Sequence, residues 1–334
     1  MLKIADRFFA ATLALLSLWL MVVYLAVLFA WANAHDSWCL AAIGTLAAMA
    51  TALWSKYEQR IDSTRLLDSL LLVISTFIAS MMIWYGLGKL IPPGQFSQPP
   101  LFEADKPYYQ VKPFWIAWGF FSHSPLYNAA IALGELTAGI LILFQRTRRL
   151  ACCLLIPIIV NILLVNIAFD IGITSLAATL LTMDLYLLLH ERRWLMSAFW
   201  SGAPVEPATS SVGRGGRLMA YAIAAAFAIH VYAITIIFPI AAPTPLQGVW
   251  TVRTNTSAHR EWTRLYFDVD GEGHIRSGED AQRVTFDVDA KRRHVTISEP
   301  EKGTKLFDGT YELHGSDLML AAAGSARVTL RRVR

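Results

Sequence analysis

The sequence has little charge, almost no cysteine and no internal repeat. Of its 334 residues only 16% are charged, where soluble globular domains carry about 25%. With 55% hydrophobic residues and a mean hydropathy of +0.44, this deficit points to a membrane protein and excludes intrinsic disorder. The three cysteines, Cys39, Cys152 and Cys153, sit in or beside apolar runs and are too few for a disulfide framework. Cys152 and Cys153 are adjacent rather than spaced as C-x-x-C, so a thioredoxin-like redox motif is lacking. No Walker loop, H-E-x-x-H or G-x-S-x-G occurs. A bis-histidine haem needs two histidines at matching depth, but only His230 falls near mid-span, with His35, His123 and His190 near segment ends. His35 and Cys39 offer two ligands at most, too few for a metal site.

What is present is a series of long apolar runs. A spanning helix needs about 20 mainly apolar residues, and seven segments qualify: Phe8 to Trp31, Ser37 to Trp54, Leu66 to Ile91, Leu126 to Phe144, Leu150 to Phe169, Ile171 to Leu189, and Leu218 to Ile240. Ala32-Asn33-Ala34 fits a signal-peptide cleavage site, but the run before it exceeds an h-region of about 7 to 15 residues. Twelve basic residues, from Lys3 and Arg7 to Arg214 and Arg217, fall on one side of these segments, against Lys89, Lys106 and Lys112 on the other. The positive-inside rule then makes the N-terminus cytoplasmic and the chain after Ile240 extracytoplasmic, as in a bacterial-type plasma (inner) membrane. The net charge of +4 is thus explained by lipid and topology, and no nucleic acid is expected.

Five regions follow: an N-terminal helix pair (1–64), a four-helix core (65–190) with a long outer loop (92–124), a cytoplasmic loop (191–217), a seventh helix (218–245) and a β domain (246–334). The β domain holds 14 basic and 13 acidic residues. Its alternating stretches, broken by Asp270-Gly271, Asp308-Gly309 and Gly315-Ser316, predict seven or eight strands of a small antiparallel barrel or meander. Trp250, Val252, Tyr266, Val284, Phe286 and Val288 are candidates for its inner face. The outer loop is rich in proline and aromatics, which suits an interfacial belt or a lid.

Polar groups inside a bilayer are expensive and ask for an explanation. Glu135 lies mid-span, with Tyr127 and Asn128 toward the outer surface on a similar face. Tyr85 and Lys89 are spaced i,i+4 on the third segment, as are Asn166 and Asp170 on the fifth, so each pair faces one way. These seven residues outline a pocket opening outward, with Glu135 at its floor as a proton acceptor. The alternative is that Glu135 glues helices together while Lys89 snorkels to headgroups. Arg65 and Asp68 are expected to form an interfacial ion pair.

From Arg65 to Leu189 the chain resembles the DoxX family of four-helix membrane proteins. The resemblance is carried by Tyr85-Gly-Leu-Gly-Lys89, Trp118-Gly-Phe-Phe-Ser-His-Ser-Pro-Leu-Tyr127, Gly134-Glu135-Leu-Thr-Ala-Gly139, Phe144-Gln-Arg-Thr-Arg, the stretch Asn161 to Asn166, and Phe169-Asp170. It implies a four-helix core in which Glu135 and Lys89 occupy the family's polar positions, and, for some members, a link to quinone or thiol redox chemistry with a partner subunit. Leu246-Gln-Gly248-Val-Trp250 is similar to the G-x-W opening of lipocalin-like barrels. The expectation is a redox-associated subunit that binds quinone or another apolar carrier beside Glu135 and works with a soluble oxidoreductase. A lipid or small-hydrophobe binding or transport module, or an assembly partner in an envelope complex, is the competing expectation.

Overall fold

The computed structural model describes residues 4–26, 37–57, 59–60, 62–92, 95–197, 200, 211–237, 243–256, 261–269, 271–322 and 327–333. Ala32-Asn33-Ala34, His35 and the Asp270 half of the Asp270-Gly271 turn lie outside them. The chain divides into two compact units: Met1–Ser97 with Phe120–Phe238, and Gln98–Gly119 with Pro239–Arg334.

The first unit is helical: α1 (Ile4–Ala26), α2 (Ser37–Lys56), α3 (Ser63–Leu90), α6 (Pro125–Leu143), α7 (Arg148–Ala168), α8 (Thr174–His190), the short α9 (Arg192–Met196) and α10 (Arg214–Ile237). Within the described residues, each of the seven apolar runs is therefore helical. Among the described residues five helices are long and apolar enough to cross a membrane, and α8, with 17 residues, is shorter. Asp62 caps α3 by accepting from the backbone N–H of Thr64 and Arg65, and Ser124 caps α6 by accepting from that of Tyr127.

α3 is the axis of this unit, with Ile74, Phe77, Ile78, Met81 and Met82 all inaccessible to solvent. α6 lies against it closely because glycines line the seam. A Cβ on Gly86 would stand 2.5 Å from Leu136 Cγ, and one on Gly139 would stand 2.8 Å from Met82 Cβ. Arg65 and Asp68 do not form the expected ion pair; Asp68 instead accepts from the backbone N–H and hydroxyl of Ser211 at 2.8 and 2.6 Å.

The second unit is a closed eight-stranded antiparallel barrel in which each strand pairs with the next and β8 returns to β1. Its strands are β1 (Gly248–Asn255), β2 (Trp262–Phe267), β3 (Glu272–Ser277), β4 (Asp280–Asp289), β5 (His294–Ser298), β6 (Lys305–His314), β7 (Asp317–Ala322) and β8 (Arg327–Arg332). Trp250, Leu265, Phe267, Val284, Phe286, Val295, Ile297 and their neighbours fill the interior, with Val252 and Val288 at its edge. Trp250 is fully buried and donates its indole N–H to the Leu246 carbonyl at 2.6 Å. Asp308-Gly309 is no turn: it lies within β6, where Gly309 lets the Ala321 carbonyl of β7 approach.

Tyr266 was expected inside and points out. Leu265 and Phe267 belong to the core, so the two-residue period of a strand turns Tyr266 to the other face. It is nevertheless buried, because Gln98–Gly119 belongs to this unit and carries structure of its own: α4 (Leu101–Ala104), a 3-10 turn at Tyr108–Gln110 and the first part of α5 (Pro113–His123). The long loop is thus neither a bare belt nor a featureless connection, and α4 packs on β2.

Candidate functional site

The seam between α3 and α6 carries a buried ion pair. The Lys89 ammonium donates to both Glu135 carboxylate oxygens, at 2.7 Å and 3.0 Å, and to the Tyr85 carbonyl at 3.4 Å. The two side chains are 5% and 1% exposed. Lys89, for which snorkelling was the alternative, is turned inward because Gly86 and Gly139 bring α6 within reach. The rings of Tyr85 and Phe96 lie 5.2 Å and 5.6 Å from the ammonium. These aromatic faces replace some of the lost hydration of the cation.

Of the remaining predicted residues, Asn128 joins the pair and two others do not. The Asn128 amide donates to the Lys89 carbonyl at 3.3 Å, and its own buried oxygen has no hydrogen bond among the described residues. Tyr127 stacks on Phe121, which stacks on Phe96 over the ammonium, so its link is through rings. Asn166 is buried but spends its amide N–H on the Ile162 carbonyl of its own helix at 2.8 Å. Asp170 is exposed in a left-handed backbone conformation beyond the end of α7, and among the described residues no hydrogen bond or ion pair ties it to Glu135 or Lys89. The i,i+4 spacing of Asn166 and Asp170 fails because the helix ends at Ala168, before its second member.

Beside Glu135, a cavity of about 370 Å³ opens between α6 and α7, lined by Ala130, Ile131, Gly134, Glu135, Pro157, Ile158, Asn161 and Ile162. The volume falls within the range of about 300 to 1,000 Å³ of small-molecule sites. Glu135 and Asn161 are the polar residues of an otherwise apolar lining. Sequence reasoning missed Pro157, Asn161 and Phe96 as parts of this environment. The available signal was the proline inside an apolar helix, which leaves the Cys153 carbonyl without its usual donor, with a polar residue one turn later.

A second polar cluster lies within the barrel unit. One Asp105 carboxylate oxygen accepts from Arg264 at 2.5 Å and from the Tyr266 hydroxyl at 2.7 Å, with Arg276 at 3.8 Å. Phe102 stacks on His274, ring centres 4.5 Å apart, and the Leu101 backbone N–H donates to Asp268 at 2.8 Å. Burial, reinforced by the Asp105 charge, pushes the Tyr266 hydroxyl up to about 12, and burial lowers the His274 imidazole below its ordinary value. These contacts fasten Gln98–Gly119 to β2 and β3.

No family model and no solved structure matches the chain. Uncharacterized protein YwoB of Bacillus subtilis (strain 168) is 42% identical to it over 124 residues, 37% of this chain and 77% of YwoB. At that identity and coverage, the chain belongs to the same family as YwoB.

Proposed function

We propose that this is an inner-membrane protein of seven crossings, with a DoxX-like core formed by α3, α6, α7 and α8, that binds a quinone or similar apolar carrier in the groove between α6 and α7. The observation that carries this reading is a cavity lined by Glu135, Asn161 and otherwise apolar residues in a chain rich in spanning-length helices. The groove takes an apolar ring and tail, while Glu135 and Asn161 supply an acceptor and an amide for carbonyl or hydroxyl groups. Lys89 holds the carboxylate in place and balances its charge; when a reduced carrier of the quinol type gives up two electrons, one of its two hydroxyl protons passes to Glu135 and the other to bulk water. The electrons pass to a partner, a soluble oxidoreductase or envelope protein, for which the filled barrel with its balanced surface charge is the docking surface. The packing of α4 on β2 supports an even number of crossings between the two segments, which puts the outer loop and the barrel on one side; the twelve-to-three asymmetry of basic residues is what supports an extracytoplasmic barrel and a cytoplasmic N-terminus.

The experiment is photolabelling of the full chain in lipid nanodiscs with an azide-bearing quinone. Label is expected in peptides spanning Ala130–Glu135 and Pro157–Ile162, competed by unlabelled quinone and lost in Ile158→Trp, which fills the groove. Equal competition by an alkane of the same tail length would overturn the quinone reading and leave a lipid-binding module. Label that ignores Ile158→Trp would remove the groove as the site.

A further inference from the structure

A second acid is buried in the helical unit, away from the cavity. Asp184 on α8 is wholly inaccessible to solvent, and among the described residues neither of its carboxyl oxygens has an N–H or O–H donor; the weak donor beside it is the Cys152 thiol. Its setting comes from α7, where Arg148 and Cys152 share one face by i,i+4 spacing. The fully buried Cys152 puts its thiol beside the carboxyl, and the Arg148 charge lies in the field of Cys152, Glu191 and Asp68, while its Nε is buried with no hydrogen-bond partner among the described residues.

The other acids at this end of the bundle are engaged. Glu191 accepts from Arg149 at 2.7 Å, and Asp68 of α3 is held by Ser211. The remaining titratable and charged groups on α8 and the elements packed against it are Tyr186 and His190 of α8 itself, Cys153 of α7, Arg65 of α3 with Tyr85 and Lys89 at the other end of that helix, Asp6 and Arg7 of α1, and Arg192 and Arg193 of α9. Of these, Arg7 donates to Ser55 on α2. A carboxylate left without an N–H or O–H donor in such a place would keep most of its desolvation penalty, whereas the neutral acid keeps little of it.

We propose that Asp184 is a proton-binding site of the helical unit, exchanging its proton with solution at the Arg148–Glu191 end, with Arg148 as the counter-charge to the carboxylate left behind. Loss of the proton exchanges a thiol neighbour for a guanidinium one, so proton occupancy changes how α7 meets α8. Asp184 lies six residues before His190 at the end of α8, about 9 Å along the axis. The site is independent of the quinone reading, since no group of the Lys89–Glu135 pair takes part.

Infrared spectroscopy of the full chain in detergent tests this directly. The carbonyl-stretch band of a protonated carboxyl is expected at neutral pH, absent in Asp184→Asn, shifted on transfer to heavy water, and declining about tenfold per pH unit above its midpoint. Arg148→Gln should move that decline to higher pH, because the carboxylate loses its counter-charge. Asp184→Asn should keep the unfolding temperature of the parent, since amide and neutral acid have nearly the same shape and charge. A band unchanged in Asp184→Asn would overturn the proposal. A band that neither exchanges in heavy water nor declines with pH would mean a sealed structural acid and would equally overturn it.

Discussion

Two polar fasteners, one in each unit, join segments far apart in the chain and differ in what water does to them. Lys89 and Glu135 are 5% and 1% exposed, whereas Arg264 and Asp105 are 36% and 22% exposed. The first pair has lost its hydration and depends on mutual attraction and two aromatic faces, and such a pair rarely stabilises a fold beyond what apolar side chains of similar volume would achieve. The second keeps part of its hydration, is screened, and adds modestly to a strand face that is already packed. The difference teaches that net stability does not account for the desolvated pair, while the half-exposed one is sufficiently explained as an anchor for Gln98–Gly119.

The largest effect should come from leaving half of the buried pair in place. Glu135→Ala strands the Lys89 ammonium and is expected to destabilise the helical unit by about 3–5 kcal/mol, and Lys89→Met combined with Glu135→Leu should recover most of it. Thermal unfolding in detergent decides this. A double variant as unstable as the single one would mean that the ion pair itself supports the fold, and the contrast between the two fasteners would collapse.

A smaller effect is expected at Asp105. Asp105→Ala removes the acceptor for Arg264 and Tyr266 and should cost the barrel unit about 1–2 kcal/mol, discounted for its partial exposure. It should also make the 98–119 segment easier to cleave. Limited proteolysis at Lys106 and Lys112 measures this, and protection equal to the parent would show that Phe102 and Leu101 suffice as anchors.

The smallest effect is a pH dependence from His274. Its imidazole is held below the ordinary value of about 6.5, first by burial, so the folded barrel binds fewer protons than the unfolded chain as acidity rises. This contribution to stability is present above about pH 6.5 and is lost as pH falls toward the folded value. Chemical unfolding of the barrel, followed through the buried Trp250 and Trp262, should show a decline on acidification that His274→Phe flattens. An unchanged slope in that variant would assign the decline to other groups.

Much of the architecture was legible in sequence because it depends on one-dimensional patterns. Apolar runs of spanning length and two-residue alternation marked all seven long helices and most of the strands, and the cost of a mid-span acid marked Glu135. Register was harder. Tyr266 and its neighbours Leu265 and Phe267 are all buried, so alternation alone did not say which faces the interior. Asp308-Gly309 has the composition of a turn yet lies in mid-strand, where the glycine serves the approach of β7.

By itself the sequence determined that the chain is rich in membrane-length helices, that a charge-balanced β domain follows them, and that Glu135 and Lys89 stand where polarity is costly. Only the tertiary structure decided that these two bond to each other, that Asp170 stays apart, that Asp184 is buried beside the Cys152 thiol, and that part of the long loop covers the barrel. Partner choice depends on how closely helices approach and where each one ends. Those distances arise from packing at Gly86 and Gly139 and from the end of α7 at Ala168, and no spacing along the chain encodes them.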